Sequence, residues 1–282
     1  VYSGDVTLAV GDKEKVANGG TLSAGELSRS VLFASVRHAS TAATSSRVAA
    51  TLLAEGGVRF ERYAAAVPVN AVYQVVVFTA SSGVHVLRGE ATLAAITLNV
   101  DLSEADGYRA ALGRSHAVAL ITHTTQSPEY DQSAFVAAHL SDDRTLQLNA
   151  KSAPPAEVAW QVVDLGAQHA TVQHVYVADD SGSSSVVATL VLSQLERFWL
   201  LFSHLCIANK GPETNMVNGG IGVDGTVRLR RFNNHGSFGY ASQLVNFTDA
   251  SGVAVHTTDD AWSLATPSAT VTSVDVPVPP AP

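Results

Sequence analysis

Charge is what this chain has least of. Asp, Glu, Lys and Arg make up 15% of its 282 residues, well below the roughly 25% usual for soluble proteins. Lysine is confined to Lys13, Lys15, Lys151 and Lys210, and 25 acidic side chains face 17 basic ones for a formal net charge of −8. Neutralising phosphates takes a basic surface, which argues against nucleic acid as a partner. The single cysteine, Cys206, excludes an intrachain disulfide framework and a multi-cysteine zinc site. No apolar run reaches the ~18 residues of a membrane-spanning helix, so no membrane insertion is expected. No Gly-x-Ser-x-Gly nucleophile elbow is present. The glycine-rich stretch Gly219-Gly-Ile-Gly-Val-Asp-Gly225 lacks the Lys-Ser/Thr of a phosphate loop and reads as a hairpin. The chain opens on Val1 and not Met, as a processed or partly represented chain does.

What is present is a repeat. Val1-Tyr-Ser-Gly-Asp-Val-Thr-Leu-Ala9 recurs as Val86-Leu-Arg-Gly-Glu-Ala-Thr-Leu-Ala94, 85 residues later. At the same offset Ser28-Arg-Ser-Val-Leu-Phe-Ala-Ser-Val-Arg-His38 falls on Gly113-Arg-Ser-His-Ala-Val-Ala-Leu-Ile-Thr-His123. Three further segments carry a glutamine: Tyr73-Gln-Val-Val-Val-Phe78, Trp160-Gln-Val-Val-Asp-Leu165 and Ser242-Gln-Leu-Val-Asn-Phe247. Gln74, Gln161 and Gln243 stand 87 and 82 residues apart, so small loop insertions perturb a period near 85. Ala265 to Val276 resembles Ala91 to Leu102 in the same way.

The repeating unit is built of strands. Val58 and Phe60 alternate with Arg59 and Glu61, Leu146 and Leu148 with Gln147 and Asn149, and Val227 and Leu229 with Arg228 and Arg230. That period of two marks antiparallel strands with one wet face. The glutamine segments are apolar on both sides and should lie centrally. Turn chemistry separates the runs. Helix signal is thin: Thr21–Ser28 and Ser103–Leu112 each have room for a turn or two, with Ser103 and Asp106 as a cap pair. The expectation is an all-β chain of three tandem antiparallel β-sandwich units, jelly-roll-like, of about 85 residues each. Its boundaries are read as 21–105, 106–193 and 194–282, the last ending in the Pro-rich tail Pro277-Val-Pro-Pro-Ala-Pro282. Residues 1–20 are left as an orphan strand, which either pairs back onto its own chain or completes the edge of a neighbour.

Candidate chemistry is sparse. His38, His123 and His204 fall at one position of the repeat, either as ligands around a pseudo-threefold axis or as strand-end imidazoles with local hydrogen bonds. No second ligand recurs beside them at a metal-binding spacing, so no metal and no cofactor is expected. Gln74, Gln161 and Gln243 suit amides that satisfy backbone groups at a sheet edge or interior better than ligand contacts. Arg228, Arg230 and Arg231 offer an interface, or a grip on an anionic sugar or a partner's carboxylates. The doublets Asp142-Asp143, Asp179-Asp180 and Asp259-Asp260 do not share a repeat phase and read as solvated turns.

Tyr73-Gln-Val-Val-Val-Phe78 with Val84-His-Val-Leu-Arg-Gly89, and Trp160-Gln-Val-Val-Asp-Leu165 with Val172-Gln-His174, resemble tandem β-repeats of bacteriophage structural proteins, virion fibres and capsid-decoration proteins among them. The resemblance covers about a quarter of each unit. It implies a non-enzymatic role in an extracellular particle, with self-association and other virion proteins as partners and the virion or an extracellular surface as its location. The alternative expectation is a bacterial cell-surface adhesin or carbohydrate-binding module whose partner is a host glycan or receptor.

Overall fold

The protein, described here from a computed structural model, is all-β and antiparallel throughout. The structure describes residues 1–251 apart from 19, 39–41, 106, 109–111, 128–133, 153–155, 181–183, 190–196, 207–216, 223, 232–237 and 249–250. The strands fall into three sets. The first holds β1 (Tyr2–Leu8), β2 (Glu14–Ala17), β3 (Ser30–His38), β4 (Ala49–Leu52), β5 (Val58–Glu61) and β6 (Val69–Val77). The second holds β7 (His85–Leu93), β8 (Thr97–Asp101), β9 (Ala117–His123), β10 (Ala137–Leu140), β11 (Thr145–Asn149) and β12 (Ala156–Asp164). The third holds β13 (Ala170–Asp180), β14 (Ser184–Thr189), β15 (Phe198–Cys206), β16 (Val217–Ile221), β17 (Thr226–Arg231) and β18 (Phe238–Phe247).

Each set forms two three-stranded sheets with one strand order. In one, the sixth strand lies between the first and third: β1-β6-β3, β7-β12-β9 and β13-β18-β15. In the other, the fifth lies between the second and fourth: β2-β5-β4, β8-β11-β10 and β14-β17-β16. The glutamine strands β6, β12 and β18 are therefore the central strands their two-sided apolar pattern predicts, and the alternating strands β5, β11 and β17 centre the other sheets. Cores are drawn from both sheets of a set. Val6, Leu32 and Tyr73 meet Ala50, Val58 and Phe60 in the first, and Leu87, Ala119 and Trp160 meet Ala138, Leu146 and Leu148 in the second. Another cluster crosses the sets: Val31 and Phe33, Val118 and Leu120, and Trp199 and Leu201 bring β3, β9 and β15 to a shared apolar centre. There the Phe33 and Trp199 rings lie 5.9 Å apart.

Local sequence explains local form. Gly4 and Gly89 lie under the rings of Tyr73 and Trp160. A Cβ there would stand 2.7 Å from the Tyr73 hydroxyl and 2.5 Å from the Trp160 ring, so only glycine lets the aromatic cross the sheet. The short helix α1 (Ala24–Leu27) starts from a capping box in which Ser23 and Glu26 satisfy each other's backbone N–H. Asp101 caps the turn at Leu102–Glu104 by accepting from the Ser103 N–H; Asp106, the other half of the expected cap pair, lies outside the described residues. Gly219–Gly225 belongs to the hairpin between β16 and β17, as its composition suggests. Buried Arg62 donates to the carbonyls of Ala9, Asp12, Ser45 and Val67, tying the loops at one end of the first set. No helix among the described residues is long and apolar enough to cross a membrane.

Of the two alternatives for the first residues, pairing back onto the chain itself holds: β1 pairs along its whole length with β6, Tyr2 opposite Val75 to Leu8 opposite Val69. The expected unit boundaries change. The sheets accordingly group strands from residue 2, and the expected boundary at 105 cuts β7 and β8 away from β12 and β11, to which they are hydrogen-bonded. Gly252 to Pro282, including the Pro-rich tail and Asp259-Asp260, lie outside the described residues.

Candidate functional site

Two of the three recurring glutamines, Gln161 and Gln243, lie where one strand set meets the next. A sheet's edge strand leaves alternate backbone N–H and C=O groups unpaired, and burying them without partners costs free energy. At the first junction, Gln161 on β12 solves this for Leu32 on β3: its Oε1 accepts from the Leu32 N–H at 2.9 Å and its Nε2 donates to the Leu32 carbonyl at 2.8 Å. At the second, Gln243 on β18 does the same for Ala119 on β9, at 2.5 and 2.7 Å. One amide thereby imitates an additional strand.

Three more contacts recur beside it. Thr122 on β9 accepts from the Ala50 N–H and donates to the Ala50 carbonyl on β4. Ser203 on β15 accepts from the Ala138 N–H on β10. Arg88, opposite Gln161, donates to the carbonyls of Leu27 and Ser30, and His174, opposite Gln243, bonds through Nε2 to the carbonyls of Arg114 and Ala117. Finally, Glu90 on β7 accepts from Thr51 and pairs with Arg59, while at the matching place Tyr176 stacks on His139, ring centroids 4.3 Å apart.

Burial sets the protonation states at these junctions. Desolvation pushes Arg88 down to about 10, still charged at neutral pH. His139 falls to about 4, chiefly by burial and further by neighbouring Arg114 and His174. Burial lowers His174 as well and raises the Tyr176 phenol. Burial works against the Glu90 carboxylate, but its hydrogen bonds from Thr51 and Arg59 outweigh this and hold its pKa below the usual value. The contacts thus consist of neutral imidazoles, amides and hydroxyls, joined at the first junction by the charged Arg88 guanidinium on two carbonyls and by one ion pair.

The histidines separate on inspection of register. His123 stands opposite Val158 and His204 opposite Tyr240, but the matching place opposite Ala71 is taken by Val36; His38 is two residues further, opposite Val69. The three therefore do not share one position, and a symmetric ligand set is not formed. His123 bonds through Nε2 to the Ala134 carbonyl, and burial, with Arg47 nearby, drops its pKa to about 3. His204 packs on Phe135, centroids 4.6 Å apart, and the Arg47 guanidinium covers that ring at 4.3 Å. These groups line a half-open groove of about 240 Å³ where β3, β9 and β15 converge.

Gln74 stands apart from its two counterparts: it is exposed. Arg228 lies on the outer face of β17 and pairs with Asp224 at 3.3 Å. Arg230 and Arg231 belong to the same strand, but their side chains lie outside the described residues. Among the described residues no group of three or more His, Cys, Asp and Glu is placed to hold a metal ion. Asp142 and Asp143 serve turns, accepting from the N–H groups of Arg144 and Arg114. His116 and Asp164 make a close pair at 2.7 Å, and the second ring nitrogen of His116 lies beside Gly113, 2.4 Å from where a Cβ on that residue would stand.

Comparison with protein-family models, with curated proteins and with solved structures finds no match. The contact residues Arg88, His174, Thr122, Ser203, Glu90 and Tyr176 are absent from the sequence-based candidates. Their signal is positional. Arg88 and His174 both stand opposite a recurring glutamine and are chemically different, so no residue pattern marks them.

Proposed function

We propose that this protein is a non-enzymatic structural component of an extracellular particle, most specifically a bacteriophage virion protein of capsid-decoration or fibre type. Its three strand sets are read as three tandem, jelly-roll-like β-sandwich units. The observation that carries the reading is the use made of the recurring polar residues: Gln161 and Gln243 are spent on the backbone of the neighbouring set, so the repeated chemistry builds shape rather than an open ligand site. A rigid array of β-units joined edge to face suits a fibre or a shell. The experiment is immunogold labelling of particles from the source culture with antiserum to the chain. Regularly spaced label on virions is the expected result, and label confined to cell envelopes would replace this reading by the adhesin.

A further inference from the structure

We propose that the first and third strand sets meet through the same contacts as the other two junctions, closing the chain into a pseudo-threefold ring. This rests on the three-unit reading above. Strand register defines which residues correspond. Gln74 lies opposite Phe33, Gln161 opposite Leu120 and Gln243 opposite Leu201, so the place of Leu32 and Ala119 in the third set is Leu200. Ser35 corresponds to Thr122 and Ser203, since the three stand opposite Val72, Ala159 and Ala241. Its receptor, in the place of Ala50 and Ala138, is Gly219, because the three stand opposite Phe60, Leu148 and Leu229.

The third junction therefore has its parts on both sides. Gln74 and Ser35 are exposed on the first set, and Leu200 is only partly buried where Leu32 and Ala119 are buried. The face that would be covered is bare: Val72 is 50% exposed, whereas Ala159 and Ala241 at the same position are 6% and 0% exposed. Charge matches as well. Glu90 pairs with Arg59 at the first junction; by register Asp5 replaces Glu90, opposite Val72 as Glu90 is opposite Ala159. Arg228 stands opposite Gly220 as Arg59 stands opposite Thr51, so closure sets Asp5 against Arg228. The present Arg228–Asp224 pair is exposed on both sides, and exposed pairs of this kind are easily exchanged.

The occupant is the chain's own third set and not a second copy. Trp199 already touches Phe33, and β3 and β15 bound the same groove, so the two sides of the seam are in contact at their inner ends. Closure takes a rotation of the third set that brings β15 onto the bare face of β6.

Cross-linking tests this. In a Cys206→Ser background, Asp5→Cys with Gly220→Cys bridges the third junction, and Glu90→Cys with Thr51→Cys serves as the control at the first, each treated with a short bismaleimide. A Cβ at Gly220 meets no other atom. The expected result is an internally cross-linked monomer from both pairs. A cross-linked dimer from the third-junction pair would overturn own-chain closure in favour of a second copy. No cross-link there, with the control pair reacting, would overturn closure and leave the three-unit reading standing; failure of both pairs would remove that reading too. Native protein gives an independent readout. Closure predicts that the Leu200 amide exchanges as slowly as those of Leu32 and Ala119, and that Gln74→Ala accelerates it by about tenfold, the loss of one hydrogen bond. An unprotected Leu200 amide, indifferent to Gln74→Ala, refutes it.

Discussion

Replacing Gln243 with methionine isolates what the amide contributes. Methionine keeps the length and most of the volume of the side chain, so packing changes little while both polar partners vanish. Gln243 is 2% exposed and Ala119 is 5% exposed, so water does not reach the abandoned N–H and C=O. Each stranded group costs about 1–3 kcal/mol, and the added apolar burial returns about 1 kcal/mol. A net loss of about 3 kcal/mol is expected. Gln161→Met makes the same deletion from a half-buried side chain, but the groups it strands belong to Leu32, which is 4% exposed, so a comparable loss of about 2–3 kcal/mol is expected. Urea unfolding followed by far-ultraviolet circular dichroism reads both, provided the slope stays that of the native protein so that midpoints report stability. A Gln243→Met or Gln161→Met protein within about 0.5 kcal/mol of native would show that the amides are not what joins the sets.

Other outcomes follow from the same geometry. Thr122→Val removes a hydroxyl that both accepts from and donates to Ala50, and should cost about 1–2 kcal/mol in the same assay. Gly89→Ala places a methyl 2.5 Å from the Trp160 ring and should cost about 1–3 kcal/mol with a changed near-ultraviolet spectrum; an unchanged spectrum would mean the ring moves freely. Acid should weaken the fold. His123, with a folded pKa of about 3, binds a proton in the unfolded chain from pH ~6.5 downward but not in the folded one. Stability is thus complete above pH ~6.5 and falls by about 1.4 kcal/mol per pH unit until about pH 3. His139 adds a similar fall that ends near pH 4. His123→Gln, which keeps a donor for Ala134, should flatten that slope, and a urea midpoint independent of pH between 7 and 5 would contradict the burial.

The central strands and the recurring glutamines are legible because apolar residues on both sides of Gln74, Gln161 and Gln243 mark a strand central in its sheet; the expected cover on both faces holds for β12 and β18 but not for β6, where Val72 is 50% exposed. The phase of the units is not legible. A tandem repeat looks alike wherever it is cut, and only the pairing of β1 with β6, across a span of more than sixty residues, fixes the start. The histidine alignment fails for a related reason. The first strands of the first two sets are offset by 85 residues, Ser3 matching Arg88, but the glutamine strands by 87. Two residues gained in intervening loops move His38 away from the place of His123. The junction donors stay hidden because a carbonyl accepts equally from Arg88 and from His174, leaving no identity to find.

The edge-capping amides bear on why so little charge is needed. An uncovered sheet edge is a template for another chain, and proteins commonly guard it with lysines, prolines or bulges. Here Leu32 on β3 and Ala119 on β9 have their free backbone groups occupied by Gln161 and Gln243, so an intruding strand finds no hydrogen-bonding partner at those sites. A neutral residue from within the chain thus does the work of an electrostatic deterrent, and resistance to aggregation need not be written in the surface composition.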